Sequence, residues 1–496
     1  MRTVTDVLVV GAGPTGLLLA GDLAEADVSC AVLERRLDES NLSRAAAVHA
    51  RTLEELDVRG VADDLVRLGL PVPILRVFGR GTLDLSWLPS RFPYVLSTPQ
   101  FTTEQVLGER ARRLGVRVVH GAEVIDVRQD ADGVDLRVRD RDGGVRTWRA
   151  RYVVGADGMR STVRQALGLP FPGRSVARSI VLADVRPAEP PPDELTAGVT
   201  DDGFAFVLPF GDGWFRVIVW NRRRTPPETA PLDLAEVKEM TREVLGTDFG
   251  MRDPRWMSRF HSDERQVPAY RVGRIFLAGD AAHVHSPAGG LGMNTGMQDA
   301  ANLGWKLAGV LKDRAPAGLL DTYDSERRPA GRLALRTSGR LLRAATARPG
   351  TPGAALRAVL VAATHVPPLA RRMARALSGI GLAYPAPRGA HPLMGRRAPD
   401  IPLTGPGPRR LYEALRGRRP LLVTPPDTPL AAGAVTGWEG RVDVVAADGR
   451  TGRLVLVRPD GYIAWAAECS GPAASVPGIR AALAEWCGPP LTPVAP

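Results

Sequence analysis

Gly11-Ala12-Gly13-Pro14-Thr15-Gly16 has the spacing of a turn that cradles a phosphate. The first glycine permits a tight turn, the second lets backbone approach a pyrophosphate, and the third lets a helix pack closely on a strand. Pro14 and Thr15 stand where a helix opens, and a helix N-terminus favours anionic groups. The spacing alone is weak evidence, but its context is the required one. Asp6–Val10 is a short apolar run that reads as a strand, and Thr15–Ala26 reads as a helix with an apolar face. Glu34 ends the next apolar run, followed by Arg35. A carboxylate at that place accepts hydrogen bonds from ribose hydroxyls and opposes a 2′-phosphate. NADP is therefore disfavoured as the bound dinucleotide, and NAD and FAD remain.

Two later segments separate those two. Val153-Val154-Gly155-Ala156-Asp157-Gly158 ends a strand and is followed by Ser161 and Arg164. Val272–Ala278 runs into Gly279-Asp280-Ala281-Ala282-His283, then into a glycine-rich stretch containing Pro287, Gly290, Gly292, Met293 and Asn294. An aspartate at a strand end can bind a ribityl hydroxyl. A glycine run before a helix can offer N–H groups to the electron-rich pyrimidine edge of an isoalloxazine. Both features favour FAD. His283 and His285 lie inside this segment and read as structural or flavin-adjacent groups rather than metal ligands, and His49 as a covalent tether is disfavoured. Cys30, Cys469 and Cys487 are scattered without CxxC spacing, so neither a disulfide framework nor a metal site is indicated.

These residues need elements to position them. Thr15–Ala26 and the strand Val28–Leu33 complete a βαβ unit. Helical spacing covers 51–68 and 101–114. Runs at 116–119, 123–128, 133–139 and 145–149 alternate between Asp-Gly turns, as in an antiparallel meander, and lead to a buried strand at 151–155. Strands at 179–185, 204–209 and 214–220 and a helix at 234–245 make up a second region. The chain then returns to a strand at 272–278 and a helix around 296–311. The segment 349–390 is helical but interrupted by proline and glycine, and Pro459-Asp460-Gly461 reads as a hairpin turn among short strands near the end.

Three segments, GAGPTG, the ADG stretch with its later arginine, and GDAAHVHSPAGGLGMNTGMQDA, occur in an order and at separations that resemble the group A flavoprotein monooxygenases, the para-hydroxybenzoate hydroxylase-like family. Arg44-Ala45, His49-Ala50-Arg51-Thr52 and Pro99-Gln100 with Glu104-Gln105 are similar to that family's region beside the flavin. The resemblance covers roughly 4–345. The C-terminal Arg-Pro-Asp-Gly-Tyr-Ile-Ala-Trp stretch is similar to the branch with a thioredoxin-like tail, rich in actinobacterial hydroxylases of aromatic polyketides and related antibiotics. It implies that Gly11, Gly13, Gly16, Glu34, Arg44, Gln100, Asp280 and the Pro287–Asn294 loop contact FAD. It also implies that the Asp157 segment serves the flavin and a transient reductant, NADPH or NADH. In the implied cycle, reduced flavin and O₂ give a 4a-hydroperoxide that hydroxylates an electron-rich aromatic carbon, or inserts oxygen beside a ketone in the Baeyer–Villiger manner. Arg44 is the one candidate catalytic residue, steadying the hydroperoxide; a contact to phosphate or ring is its alternative role. Phe204, Phe206, Leu208, Trp214 and Pro287 are the candidate substrate contacts, against ordinary sheet packing as the competing explanation.

The expected fold is α/β with α+β elements. A Rossmann-like FAD-binding domain in two parts, 1–173 and 271–397, encloses a β-sheet substrate domain, 174–270, and precedes a thioredoxin-like domain without CxxC, 398–496. That tail suits packing or oligomer contact, a homodimer included. Net charge is +11, but lysine occurs only at 238, 306 and 312 and the arginines are dispersed, so nucleic acid is not the expected partner. No run of about 18 apolar residues spans a membrane and the N-terminus lacks a signal-peptide layout, which makes cytoplasmic the expectation. Two other readings stay open. One is a flavin dehydrogenase or halogenase, although the WxWxIP stretch of a related halogenase is absent. The other is a flavin-binding scaffold that recruits a biosynthetic partner.

Overall fold

The computed structural model describes residues 3–38, 45–192, 195–426, 433–449, 452–471 and 474–491. Its largest sheet has a parallel centre, ordered Ile275–Leu277, Val145–Gly155, Thr3–Val10, Cys30–Glu34 and Arg117–His120. Strands covered on both faces must be apolar throughout, which is why Val7, Leu8 and Val9 form an unbroken buried run. Helices Pro14–Glu25 and Leu291–Leu311 cover the sheet and supply Leu18, Leu19, Met297 and Leu303 to the main core.

The meander read from the alternating runs divides differently. Arg117–His120 is the parallel edge strand beside Cys30–Glu34. Glu123–Gln129 and Val134–Arg139 form an antiparallel ribbon against the first half of Val145–Gly155, whose second half enters the parallel sheet. Period-two alternation reports one buried face and is blind to the direction of the partner strand. The run 272–278 also divides, into a tight hairpin of Arg271–Val272 and Ile275–Leu277 around Gly273, whose φ is +60°.

A six-stranded antiparallel sheet follows, ordered Thr196–Val199, Gly203–Pro209, Phe215–Asn221, Gly173–Arg186, Arg252–Gln266 and His283–Val284. Its last strand comes from the segment that carries the third glycine-rich motif. Helix Leu234–Leu245, capped by Asp233 and ended by left-handed Gly246, seats Val237 and Met240 on one face of this sheet. The other face turns toward helices Thr322–Ala345 and Pro352–Thr364. Among the described residues no single helix is long and apolar enough to cross a membrane.

The tail carries a sheet in which Leu421–Thr424 pairs parallel with Asp443–Ala447 and antiparallel with Arg453–Val457, which pairs with Ile463–Glu468 before helix Val476–Cys487. This is the strand order of a thioredoxin fold. Leu393 already packs on its core, a few residues before position 398. The tail docks on the rest of the chain through arginines that pair with buried carboxylates. Arg397 binds Glu54, Arg410 and Arg416 bind Asp57, and Arg458 binds Glu326. Arg51 and Thr52, from the segment similar to the family's region beside the flavin, are both buried. Arg51 reaches Glu54, Glu55, the Tyr412 hydroxyl and the Asp460 carbonyl. Arg51 and Arg458 are thus buried charges paired inside the protein.

Candidate active site

Strand register alone gathers the predicted segments. Val10 pairs with Leu33 on one side and Gly155 on the other, and Gly155 pairs with Leu277. Gly11, Glu34, Asp157 and Asp280 therefore stand in a row along the carboxyl edge of the parallel sheet, where α/β proteins bind ligands.

At the glycine turn each position has its own constraint. Gly11 has φ +104°, and a Cβ there would lie 2.4 Å from the Ala156 carbonyl oxygen. A Cβ at Gly16 would lie 2.0 Å from the Gly11 oxygen, whereas one at Gly13 would meet nothing within 4 Å. Gly11 and Gly16 are needed for the fold, and Gly13 faces open space. The helix behind it starts with Pro14 and has no side-chain cap. Thr15 is the meeting point of three segments, since Cβ atoms at Gly279 and Gly296 would lie 2.9 and 2.5 Å from its Oγ1.

Glu34 is buried. Its carboxylate accepts from the N–H of Ala12 (2.7 Å) and of Arg36 (2.8 Å), with the Arg36 guanidinium alongside. Burial pushes this carboxyl up, but those hydrogen bonds and that charge outweigh it and hold the group below the usual glutamate range. Arg35 is exposed, and it is Arg36 that bridges Glu34 to Glu104. Gln100 donates to Glu104 (2.8 Å) and accepts from the N–H of Ala45 (3.3 Å). Arg44 lies outside the described residues.

Asp157 turns its Oδ2 to the Val163 N–H (3.1 Å), and burial raises its pKa despite the hydrogen bonds it accepts. Arg164 donates to the Ala281 carbonyl (3.0 Å), which ties the second motif to the third, where Asp280 is exposed. Beneath that turn Asp299, fully buried, accepts from the Gly279 N–H (3.0 Å), from His283 Nε2 (2.7 Å) and from Arg327 (2.7 Å). Burial raises its carboxyl, while Arg327 and His283 bring it below the ordinary value.

Gly289 and Gly290 are both left-handed, with φ +82° and +63°, and helix Leu291–Leu311 begins after them without a side-chain cap. Pro287, Gly292 and Met293 are half-buried along this loop. The Asn294 amide is committed to the protein, accepting from the His49 N–H and donating to the Ala47 and Gly290 carbonyls. His49 Nε2 pairs with the Gly289 carbonyl (2.8 Å). Burial lowers His49 to about 4 and His285 to about 3, so both imidazoles are neutral at physiological pH. His283 stacks between Tyr270 and His285.

On the sheet face turned toward this loop, Phe204 stacks on Trp220 and contacts Phe206, with ring centroids 5.8 and 5.5 Å apart. Phe206, Ile218 and Leu360 are only partly buried there, and Ala288 of the glycine-rich loop belongs to the same apolar cluster. Leu208 follows by alternation and is half-buried. Trp214 stands apart, stacked under Arg186 and Arg255. Phe215 packs on the opposite face, and Phe210 lies against Arg216, whose guanidinium is buried with Asp184.

The FAD binding domain family matches residues 4–338, and the aromatic-ring hydroxylase C-terminal family matches 391–490. The chain belongs to the FAD-binding aromatic-ring hydroxylases. The 12-dehydrotetracycline 5-monooxygenase/anhydrotetracycline 6-monooxygenase of Streptomyces rimosus is 39% identical over 98% of this chain and 99% of its own. A rifampicin monooxygenase of Streptomyces venezuelae is 39% identical over 93% and 96%. The structure of an anhydrotetracycline hydroxylase from Streptomyces rimosus superposes with a TM-score of 0.87 at 38% identity, covering 98% of this chain and all of that one. This hydroxylase is accordingly a flavin monooxygenase with FAD as its cofactor. The sheet edge fits that cofactor: an open approach at Gly13, two uncapped helix N-termini and an exposed Asp280.

Sequence reasoning missed Arg36, Asp299 and Arg327 as supports of this hydroxylase's site. Asp299 stands within the third motif, but nothing in its spacing announces a partner at Arg327, on another helix.

Proposed function

We propose that the protein hydroxylates a polycyclic aromatic molecule of polyketide or antibiotic type, taking one oxygen atom from O₂ and a hydride from NADPH or NADH. The observation that carries this reading is the continuous apolar wall from Phe204 and Phe206 to Ala288 at the flavin loop. A flat, largely apolar substrate matches such a wall, and water does not. The relatives named for anhydrotetracycline and rifampicin support the same substrate class.

FAD, when bound, supplies the hydride acceptance and the oxygen activation. In this reading the Gly11, Gly13, Pro14, Thr15 and Gly16 turn receives the pyrophosphate on the helix N-terminus. Glu34 accepts from the adenosine ribose, and Asp280 from the ribityl chain. Backbone N–H groups from Gly290 to Asn294 face the electron-rich pyrimidine edge and favour negative charge there. Phe206, Leu208 and Ile218 position the aromatic face and keep water out. His49 and His285, neutral in their burial, hold the loop without adding charge beside the ring.

The test is NADPH oxidation by the holoenzyme across a panel of polycyclic phenols and quinones. A matching substrate accelerates oxidation at least about tenfold and lowers peroxide yield, the behaviour of binding energy used to trigger the reaction. If no panel member changes rate or peroxide yield, the substrate class is wrong.

A further inference from the structure

A cavity of about 80 Å³ lies where the tail meets the FAD-binding half. Helix Leu291–Leu311 begins at the flavin loop and ends at this cavity, about 30 Å away along its axis. Lys312 and Arg314 line the cavity from the FAD-binding half, and Arg418 and Arg441 from the tail. The carboxylate of Asp22, also in the lining, is already shared by Arg59, Arg110 and Arg418.

Cations near helix C-termini are expected from the macrodipole. That account leaves three donors without an acceptor. Trp305 Nε1, Trp486 Nε1 and Arg418 Nη1 are buried and have no hydrogen-bond partner among the described residues. All three residues line the cavity, and Trp305 is only 9% exposed. The Arg458 guanidinium lies 5.2 Å from the Trp305 ring and 5.3 Å from that of Trp486, fixing both rings in place. Buried donors without acceptors are costly, and a region of excess positive charge attracts an anion.

We propose that this seam is a binding site for a small phosphate-like oxyanion, held jointly by the two halves of the chain. Its oxygens accept from both indole N–H groups and from Arg418, and its charge balances the surrounding guanidinium and ammonium groups. Burial depresses the Arg418 pKa, and Arg59 and Arg110 add to that effect against the opposing carboxylates of Asp22 and Glu25; an anion in the cavity would offset the crowding of cations.

The test follows the melting temperature of the FAD-loaded enzyme during titration with inorganic phosphate, with potassium chloride holding ionic strength constant. Wild type should show a saturable rise. The double variant Trp305→Phe, Trp486→Phe keeps both rings and loses both donors, so its half-saturating phosphate should rise by about tenfold or more. Should that variant fold poorly, calorimetric titration of Arg441→Gln with phosphate gives the same comparison. A response no larger than that to chloride, or one unchanged in the variants, overturns the proposal and marks any ion found there as adventitious.

Discussion

Gly13→Ala separates the cost of folding from the cost of binding. A Cβ at Gly13 meets no heavy atom within 4 Å, and its φ of −77° and ψ of 179° suit alanine. Losing glycine at the N-cap costs a few tenths of a kcal/mol to about 1, while reduced freedom of the unfolded chain returns about 0.4–1. The apoprotein should therefore melt within about 0.5 kcal/mol of wild type. The methyl group occupies the open side of the turn and holds the pyrophosphate away from the helix N-terminus. One charge-assisted hydrogen bond lost or stretched is worth about 1.5–3 kcal/mol, so the FAD dissociation constant should rise by about 10- to 100-fold. Titration of the apoprotein with FAD, followed by flavin fluorescence, reads the constant, and thermal melting of the same sample reads the fold. Gly16→Ala is the contrast: its Cβ would lie 2.0 Å from a backbone oxygen, so it should fail to fold. Wild-type FAD affinity in Gly13→Ala would refute the placement of the pyrophosphate.

Acid should weaken the fold through the buried imidazoles. His49 falls from 6.5 to about 4, so the unfolded chain takes a proton the folded chain refuses. That stabilisation is complete above pH 6.5 and is lost as pH falls toward 4, about 2 kcal/mol of it by about pH 5. His49→Gln should flatten the fall in melting temperature relative to wild type. Glu326→Gln leaves Arg458 and Lys306 buried with a weakened partner and should cost about 3–5 kcal/mol, exposing the tail to limited proteolysis. Phe206→Ala should cost about 2 kcal/mol of stability while NADPH oxidation continues and hydroxylated product per NADPH falls several-fold, read by product and peroxide assays.

The carboxyl edge of the parallel sheet was legible because a close backbone approach dictates residue type. Gly11, Gly16, Gly279 and Gly296 leave no room for another residue without displacing a neighbour, so the chain announces them. The apolar wall was half legible: alternation put Phe204, Phe206 and Leu208 on one face but could not exclude Trp214, which cation–π stacking holds elsewhere. The docking of the tail was not legible. Arg51 meets the Asp460 carbonyl and Glu54 meets Arg397 across hundreds of residues, and no local pattern encodes such pairs. The same blindness divided the meander wrongly, because strand direction depends on a partner outside the window.

The reaction itself is tested most directly with heavy dioxygen. The holoenzyme, NADPH and a polycyclic aromatic that stimulates NADPH oxidation are incubated under ¹⁸O₂, and the product is weighed by mass spectrometry. The account predicts one heavy oxygen atom in the product for each NADPH consumed in coupled turnover. A product formed without heavy oxygen, or with oxygen drawn from water, would contradict it.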